Sequence, residues 1–240
     1  MALLGQGVLA IWNGIKPEAE DDFVAWHVRE HIPERVGLPG FLRGRRYVAI
    51  DGHPKYFNFY ETTSAADLSS VPYHARLNAP TEWTRRVVAH FVDTSRTICD
   101  VSWTTGLGEG GFIETISFAT TLASNALASN LKGPLARVLT AIPGIVGVHL
   151  LQGQTQAGQG QTAEKALRAA PDKVAAWILL VEGSRAEALA SFRSDAGGNS
   201  ELERHGAASG INRGLYALQF ALTKAEIAST SDRSAAPVTG

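Results

Sequence analysis

The stretch Trp26-His27-Val28-Arg29-Glu30-His31-Ile32-Pro33-Glu34-Arg35, followed at once by Pro39-Gly40-Phe41, decides the reading of this chain. It places two imidazoles and a carboxylate on one helical turn, then turns the chain sharply into a strand-like run. Upstream, Glu18, Glu20, Asp21 and Asp22 put negative charge at the start of the helix, where the positive end of its dipole favours it. Val24, Val28 and Ile32 recur every four residues as a narrow apolar stripe. Pro33 disfavours helical geometry at the residue before it, so the helix is expected to end near Ile32.

Working outward, residues 7–13 are a short apolar strand. Residues 41–50 and 55–62 are strands joined by the turn Asp51-Gly52-His53-Pro54. A second helix is expected from Asn78-Ala79-Pro80, capped by Asn78 and burying Trp83, Val87 and Phe91, with a fourth strand over 94–103. This is the order β-α-β-β-α-β. After a glycine-rich linker over 104–111 the order returns: strand 113–120, helix 125–141, strands 145–154 and 173–182, helix 184–194, strand 212–222. Pro143-Gly144-Ile145 repeats the Pro-Gly turn. The connection 155–172, rich in Gln, Gly and Ala, is either mobile or helical over 163–170. Residues 225–240, rich in Ser, Ala, Thr and Pro from Ser229 onward, read as a disordered tail.

The strands alternate weakly. Tyr56, Asn58 and Tyr60 oppose Phe57 and Phe59, and Trp177, Leu179 and Val181 oppose Ile178 and Leu180. A sheet with one wet face would alternate apolar and polar residues, so both faces are expected to be buried. Helices cover one face; the simplest cover for the other is the second sheet. The expected fold is α+β. Two tandem ferredoxin-like units, residues 1–105 and 112–224, pack sheet to sheet as a pseudo-dimeric barrel within one chain.

An acidic helix ending in Trp-x-x-x-Glu-His-x-Pro, then Pro-Gly-Phe and a strand carrying Arg and Tyr, resembles the EthD-like branch of the dimeric α/β-barrel superfamily. The likeness is clearest over residues 10–60. It implies two such sheets clasped together, here fused in one chain, and a superfamily that includes cofactor-free monooxygenases, cyclases, lactone isomerases and haem-handling enzymes. It also places weight on His31, because Glu30-His31 matches the family's Glu-His pair.

With Phe23 at zero and about 100° per residue, the Val24-Val28-Ile32 stripe spans roughly 100° to 180°. His31 falls at about 80°, against the edge of the stripe, while His27 at about 40° and Glu30 at about 340° lie further toward solvent. His31 is therefore the expected acid/base, oriented by Glu30 or His27. Asn13, Arg45 and Tyr47 are expected to hold a developing oxyanion, with Tyr60, His74 and Trp83 as further substrate contacts. Tyr56, Trp12 and Trp103 join them either as core or as the lining of a pocket for a planar apolar ligand. His27, His31, His53, His74 and His90 all precede residue 104, as do Trp12, Trp26, Trp83 and Trp103. The pocket is thus expected in the first half. His149 and Gln219, the polar strand positions of the second half, read as satisfied core groups.

Three other readings compete. His27-x-x-Glu30-His31 spells a zinc-binding string. Asn13, Trp83 and His90 resemble an Asn-Trp-His set of haem-degrading relatives. A non-catalytic module that sequesters a ligand would need the pocket alone. The leading reading takes no cofactor and no metal. It is a lyase, isomerase, cyclase or oxygenase acting on a small hydrophobic or aromatic molecule, as a monomer or homodimer.

Net charge is −1, which removes any global attraction to nucleic acid or anionic lipid. The pairs Arg45-Arg46 and Arg85-Arg86 read as solvated or ion-paired surface. Cys99, the one cysteine, has no disulfide partner and sits in a strand, where a buried thiol is inert. No apolar run approaches the roughly 18 residues of a membrane span, and a cytoplasmic protein is expected.

Overall fold

The computed structural model describes residues 3–154, 160–168 and 171–235. Eight antiparallel strands form one closed barrel: β1 (Gly7–Ile15), β2 (Phe41–Asp51), β3 (Tyr56–Thr62), β4 (Phe91–Gly106), β5 (Phe112–Phe118), β6 (Ile145–Gly153), β7 (Trp177–Gly183) and β8 (Asn212–Thr223). Around the barrel the order is β1-β3-β2-β8-β5-β7-β6-β4. Each half contributes the same local order, β4-β1-β3-β2 and β8-β5-β7-β6. The halves join edge to edge through β2 with β8 and β4 with β6. An unpaired strand edge exposes a row of N–H and C=O groups, and each half covers the other's edges. The cover is therefore closer than two stacked sheets: β4 runs for 16 residues, pairing first with β1 and then with β6.

The barrel interior is filled from both halves by Trp12, Tyr47, Phe57, Phe59, Ile178 and Tyr216, among others. Within it lies a charged group that also spans the halves. Arg45 binds Glu182 through Nη1 at 3.1 Å and Glu61 through Nη2 at 3.2 Å. His149 Nε2 lies 3.3 Å from Glu182. Burial pushes the Glu182 carboxyl up, but Arg45, His149 and the Gly110 N–H outweigh it and hold the group down to about 2. The reading of Arg45-Arg46 as surface is thus corrected. Both are buried, because both faces of β2 are covered. The Arg85-Arg86 pair is exposed. Cys99 is buried, and burial raises its thiol.

Helices pack on the outer faces. The first begins as α1 (Glu20–Trp26), passes through a π-helical turn at His27–His31, and continues as α2 (Ile32–Gly37). It does not end at Ile32 as Pro33 implied. The Ile32 N–H reaches back five residues to the His27 carbonyl. That wider turn removes the conflict between the Pro33 ring and the carbonyl four residues earlier. Helix α3 (Val71–Asn78) was not anticipated, although Ser70 caps it by accepting from the Tyr73 N–H and Pro72 sits in its first turn. Asn78 ends α3 rather than starting the next helix. Helix α4 (Glu82–Val88) is capped by Thr81, and Phe91 already belongs to β4.

In the second half α5 (Ser124–Ala141), α6 (Ala186–Ser194) and α7 (Asn199–Arg204) cover the outer face. Leu127, Leu131, Leu135 and Val138 form the buried stripe of α5. Helix α8 (Lys224–Ala235) occupies most of the segment expected to be a disordered tail; residues 236–240 lie outside the described residues. Gly40 (φ 82°) and Gly144 (φ 101°) both take the left-handed region in the two Pro-Gly turns, where a side chain would be strained. No helix of the described residues is long and apolar enough to cross a membrane.

Candidate functional site

The buried face of the first helix is Phe23, Trp26, His27, His31, Ile32, Arg35 and Val36, so the expected stripe holds at Ile32 and fails at its two valines. Val24 and Val28 are half-buried. The aromatic and imidazole rings carry more buried area than the valines, and they settle on Tyr56, Tyr60 and Phe91. His27, expected toward solvent, is 3% exposed, and His31 is 7% exposed. Their rings stack with centroids 5.4 Å apart, and Trp26 lies 4.2 Å from the His31 ring.

Both imidazoles line a cavity of about 40 Å³ between the helices and the outer face of the first-half sheet. Asn58 and Tyr60 of β3, Arg35, Tyr73 and Arg96 also line it. His27 Nε2 lies 3.3 Å from the Tyr60 hydroxyl. The Nδ1 atoms of His27 and His31 are buried and have no hydrogen-bond partner. Burial holds the His27 imidazole well below its ordinary value, with the charges of Arg46 and Arg35 acting in the same sense. Burial does the same to His31, helped by Arg35, His27 and Arg76. Both rings are therefore neutral near pH 7 and can accept a proton. Burial likewise raises the Tyr60 phenol, which stays protonated.

The remaining sequence candidates divide sharply. Tyr60 is in the cavity wall. Asn13 stands one step behind it: its Oδ1 accepts from Asn58 Nδ2 at 2.7 Å. Glu30 orients neither imidazole. It accepts from Trp26 Nε1 at 3.2 Å, Thr81 Oγ1 at 2.6 Å and Thr84 Oγ1 at 3.2 Å, which ties α4 to the first helix. Arg45 and Tyr47 are removed from the site because they point to the opposite face of the sheet, into the barrel. Trp83 donates to Asp22 at 2.8 Å and braces α4 against α1. His74 lines a neighbouring hollow of about 30 Å³.

That hollow and the imidazole cavity share Arg96, Glu164 and Arg168, which form the partition between them. Glu164 and Arg168 come from the second half's connection, in which residues 165–167 make a single 3₁₀ turn. Residues 155–159 and 169–170 lie outside the described residues. Arg35 bonds the Glu164 carboxylate and also pairs with Glu34. The Glu164 N–H donates to the Leu77 carbonyl at 3.0 Å. Arg96 donates to the Tyr73 hydroxyl at 2.9 Å, and Arg168 pairs with Asp172 at 2.7 Å.

Arg35 and Arg96 were missed. Arg35 lies four residues beyond His31 on the same helical face, a signal that the misplaced stripe concealed. Arg96 shares the outward face of β4 with Ile98 by simple alternation. The contribution of Glu164 rests on a long-range contact with no local signature.

The two metal-centred readings meet different geometry. Glu30 is engaged elsewhere, and among the described residues no group of three His, Cys, Asp or Glu is gathered to hold a metal. Asn13, Trp83 and His90 do not converge: Asn13 binds Asn58, Trp83 binds Asp22, and none of the three lines the cavity. These residues do not fit a haem site.

No family model matches the sequence, and no curated protein does. Solved structures match the fold. The chain resembles an anthrone oxidase-like protein at TM-score 0.66 and 14% identity, covering 92% of this chain and 94% of that one. A Fusobacterium nucleatum protein provisionally named a monooxygenase matches at TM-score 0.57 and 11% identity, over 92% and 96% of the two chains. A chlorite dismutase of Candidatus Nitrospira defluvii matches at TM-score 0.53 and 10% identity, over 93% of each. At such identities the likeness establishes the α/β-barrel fold and nothing finer.

Proposed function

We propose that this chain is a cofactor-independent oxygenase acting on an aromatic carbon acid, in the first-half cavity. The observation that carries the reading is the pair of buried, uncharged imidazoles, each with an unpartnered Nδ1, facing aromatic walls. A neutral imidazole carries the free lone pair that a general base needs. The name of the anthrone oxidase-like neighbour supports the substrate class, and the resemblance of residues 10–60 to an EthD-like unit supports the same superfamily. The shared strand order and the two positive-φ Pro-Gly turns support the duplication.

His31 removes a proton from the activated methylene of an anthrone-type ring ketone. Its electron pair moves into the ring system as an enolate. Arg35 and Arg96 face the oxygen that becomes negative, and Tyr60 holds His27 in place. The enolate reduces dioxygen; a carbon–oxygen bond forms, and a hydroperoxide results once the proton is returned. Loss of water leaves the quinone. One ketone and one dioxygen thus give one quinone and one water. The ring system enters by displacing Glu164 and Arg168, the part of the wall that the second half supplies.

The test is aerobic turnover of anthrone by purified protein, with chelator present and no flavin or metal added. Quinone and oxygen uptake in equal amounts, lost in His31→Ala and His31→Gln, are expected. Saturable anthrone binding without turnover would assign the cavity to sequestration instead. Turnover untouched by either substitution would remove His31 as the base.

A further inference from the structure

A cleft of about 530 Å³, larger than the imidazole cavity, opens at one end of the barrel. Small-molecule sites typically occupy roughly 300–1,000 Å³. The cleft lies on the inner side of the sheets, separated from His27 and His31 by the sheet itself.

Its floor is aromatic and fixed. The Trp12 ring packs on Phe57 at 4.7 Å and the Tyr216 ring on the same Phe57 at 5.8 Å. Both polar tips are already satisfied. Trp12 Nε1 donates to Thr115 Oγ1 at 3.3 Å, and the Tyr216 hydroxyl donates to the Pro54 carbonyl at 3.2 Å. What the floor presents to the cleft is therefore ring surface.

The wall carries two cationic side chains, Arg213 and Lys173. Arg213 uses Nε on Glu114 at 2.9 Å and Nη1 on Asn199 at 2.6 Å, yet its buried Nη2 has no partner. Lys173 also lines the cleft, and no carboxylate among the described residues pairs with it. The one acid in the lining, Asp93, lies 3.2 Å from His53 Nε2. The lining thus holds two cationic side chains and one acid that is already paired, which favours an anionic guest.

We infer that this barrel-end cleft is a second binding site, for a planar aromatic monoanion. The ring lies over Trp12 and Tyr216, and the carboxylate or sulfonate faces the cationic side chains of Arg213 and Lys173. The halves build it jointly, since Trp12 belongs to the first and the other three residues to the second.

The probe is naphthalene carboxylate, titrated into the full chain by calorimetry. A single saturable site is expected, about tenfold weaker in Lys173→Glu, one decade being the effect of losing one modest charge contact. Lys173 is exposed, so this variant leaves the fold alone. Thr115→Trp, which fills the cleft, abolishes binding in protein that still melts cooperatively. His31→Ala leaves binding unchanged, which separates this site from the imidazole cavity. The uncharged analogue naphthalene methanol binds at least tenfold more weakly. Absence of saturable binding, equal affinity for the uncharged analogue, or loss of binding in His31→Ala with retention in Lys173→Glu would each overturn the assignment.

Discussion

Arg35 and Glu164 join the two halves of the chain across the imidazole cavity: a guanidinium from the first helix and a carboxylate from a connection far along the sequence, both buried. A buried pair of this kind tolerates the replacement of both partners better than the loss of one. Glu164→Ala should cost about 1–3 kcal/mol, moderated because Glu34 still faces Arg35. Arg35→Met with Glu164→Met should recover much of that loss. Urea midpoints of the two single variants and the double variant measure the coupling, and independent, additive losses would refute it.

The imidazoles couple folding to pH. Both are held well below the ordinary value of 6.5, so the folded chain keeps them neutral where the unfolded chain binds protons. Their contribution is fully present above that value. It is lost as pH falls from there toward the folded values, at about 1.4 kcal/mol per pH unit for each ring that stays neutral. Stability of the His27→Gln, His31→Gln double variant should therefore decline less than that of the native chain between about pH 7 and about pH 5.5. Parallel declines would show the rings titrating freely.

Arg45 serves the barrel. Glu61 lies opposite Val8 on β1, and Glu182 opposite Ile113 on β5, the second residue of each strand. Arg45 faces Phe59 and His149 faces Leu180, each two residues before its glutamate. The two are thus equivalents in the repeated order, and Arg45 serves both carboxylates. Arg45→Met should destabilise by about 3–5 kcal/mol, since Glu61 and Glu182 lose a buried counter-charge. Glu182 itself contributes above its ordinary 4.5 and loses that contribution as pH falls to about 2. The variant's acid unfolding should accordingly begin at higher pH, as monitored by circular dichroism.

Gly44 lets the first helix approach the sheet. A methyl group there would stand 2.9 Å from Tyr60 Cε1 and 3.0 Å from Ile32 Cγ2. Gly44→Ala should cost about 1–3 kcal/mol by overpacking and displace the Tyr60 ring from His27. Altered aromatic proton shifts of Tyr60, read by NMR, are the expected sign.

Element order, the barrel and the first-half location of the imidazoles were legible because they depend on local patterns: apolar runs, Pro-Gly turns, and strands without a polar face. The inward face of the first helix was not. Val24 and Val28 are more apolar than His27 and His31 on any hydropathy scale, but tertiary packing buried the flat rings beside Ile32 and left the two valines half-buried, and the π turn let the helix pass Pro33. Arg45 and Tyr47 were read on the right strand with the wrong face, because on a strand buried on both sides a polar residue does not announce its direction. The closing contribution of Glu164 depends on partners more than 70 residues away and left no trace in the pattern.

The central claim is that the His31 ring takes a proton from carbon. Exchange of the anthrone methylene hydrogens with deuterium, followed by NMR in heavy water without oxygen, isolates that step from everything after it. The native chain should accelerate exchange, and His31→Ala should lower the rate by about 10²–10⁴-fold while remaining folded. No acceleration by the native chain, or equal acceleration by the variant, would contradict the account.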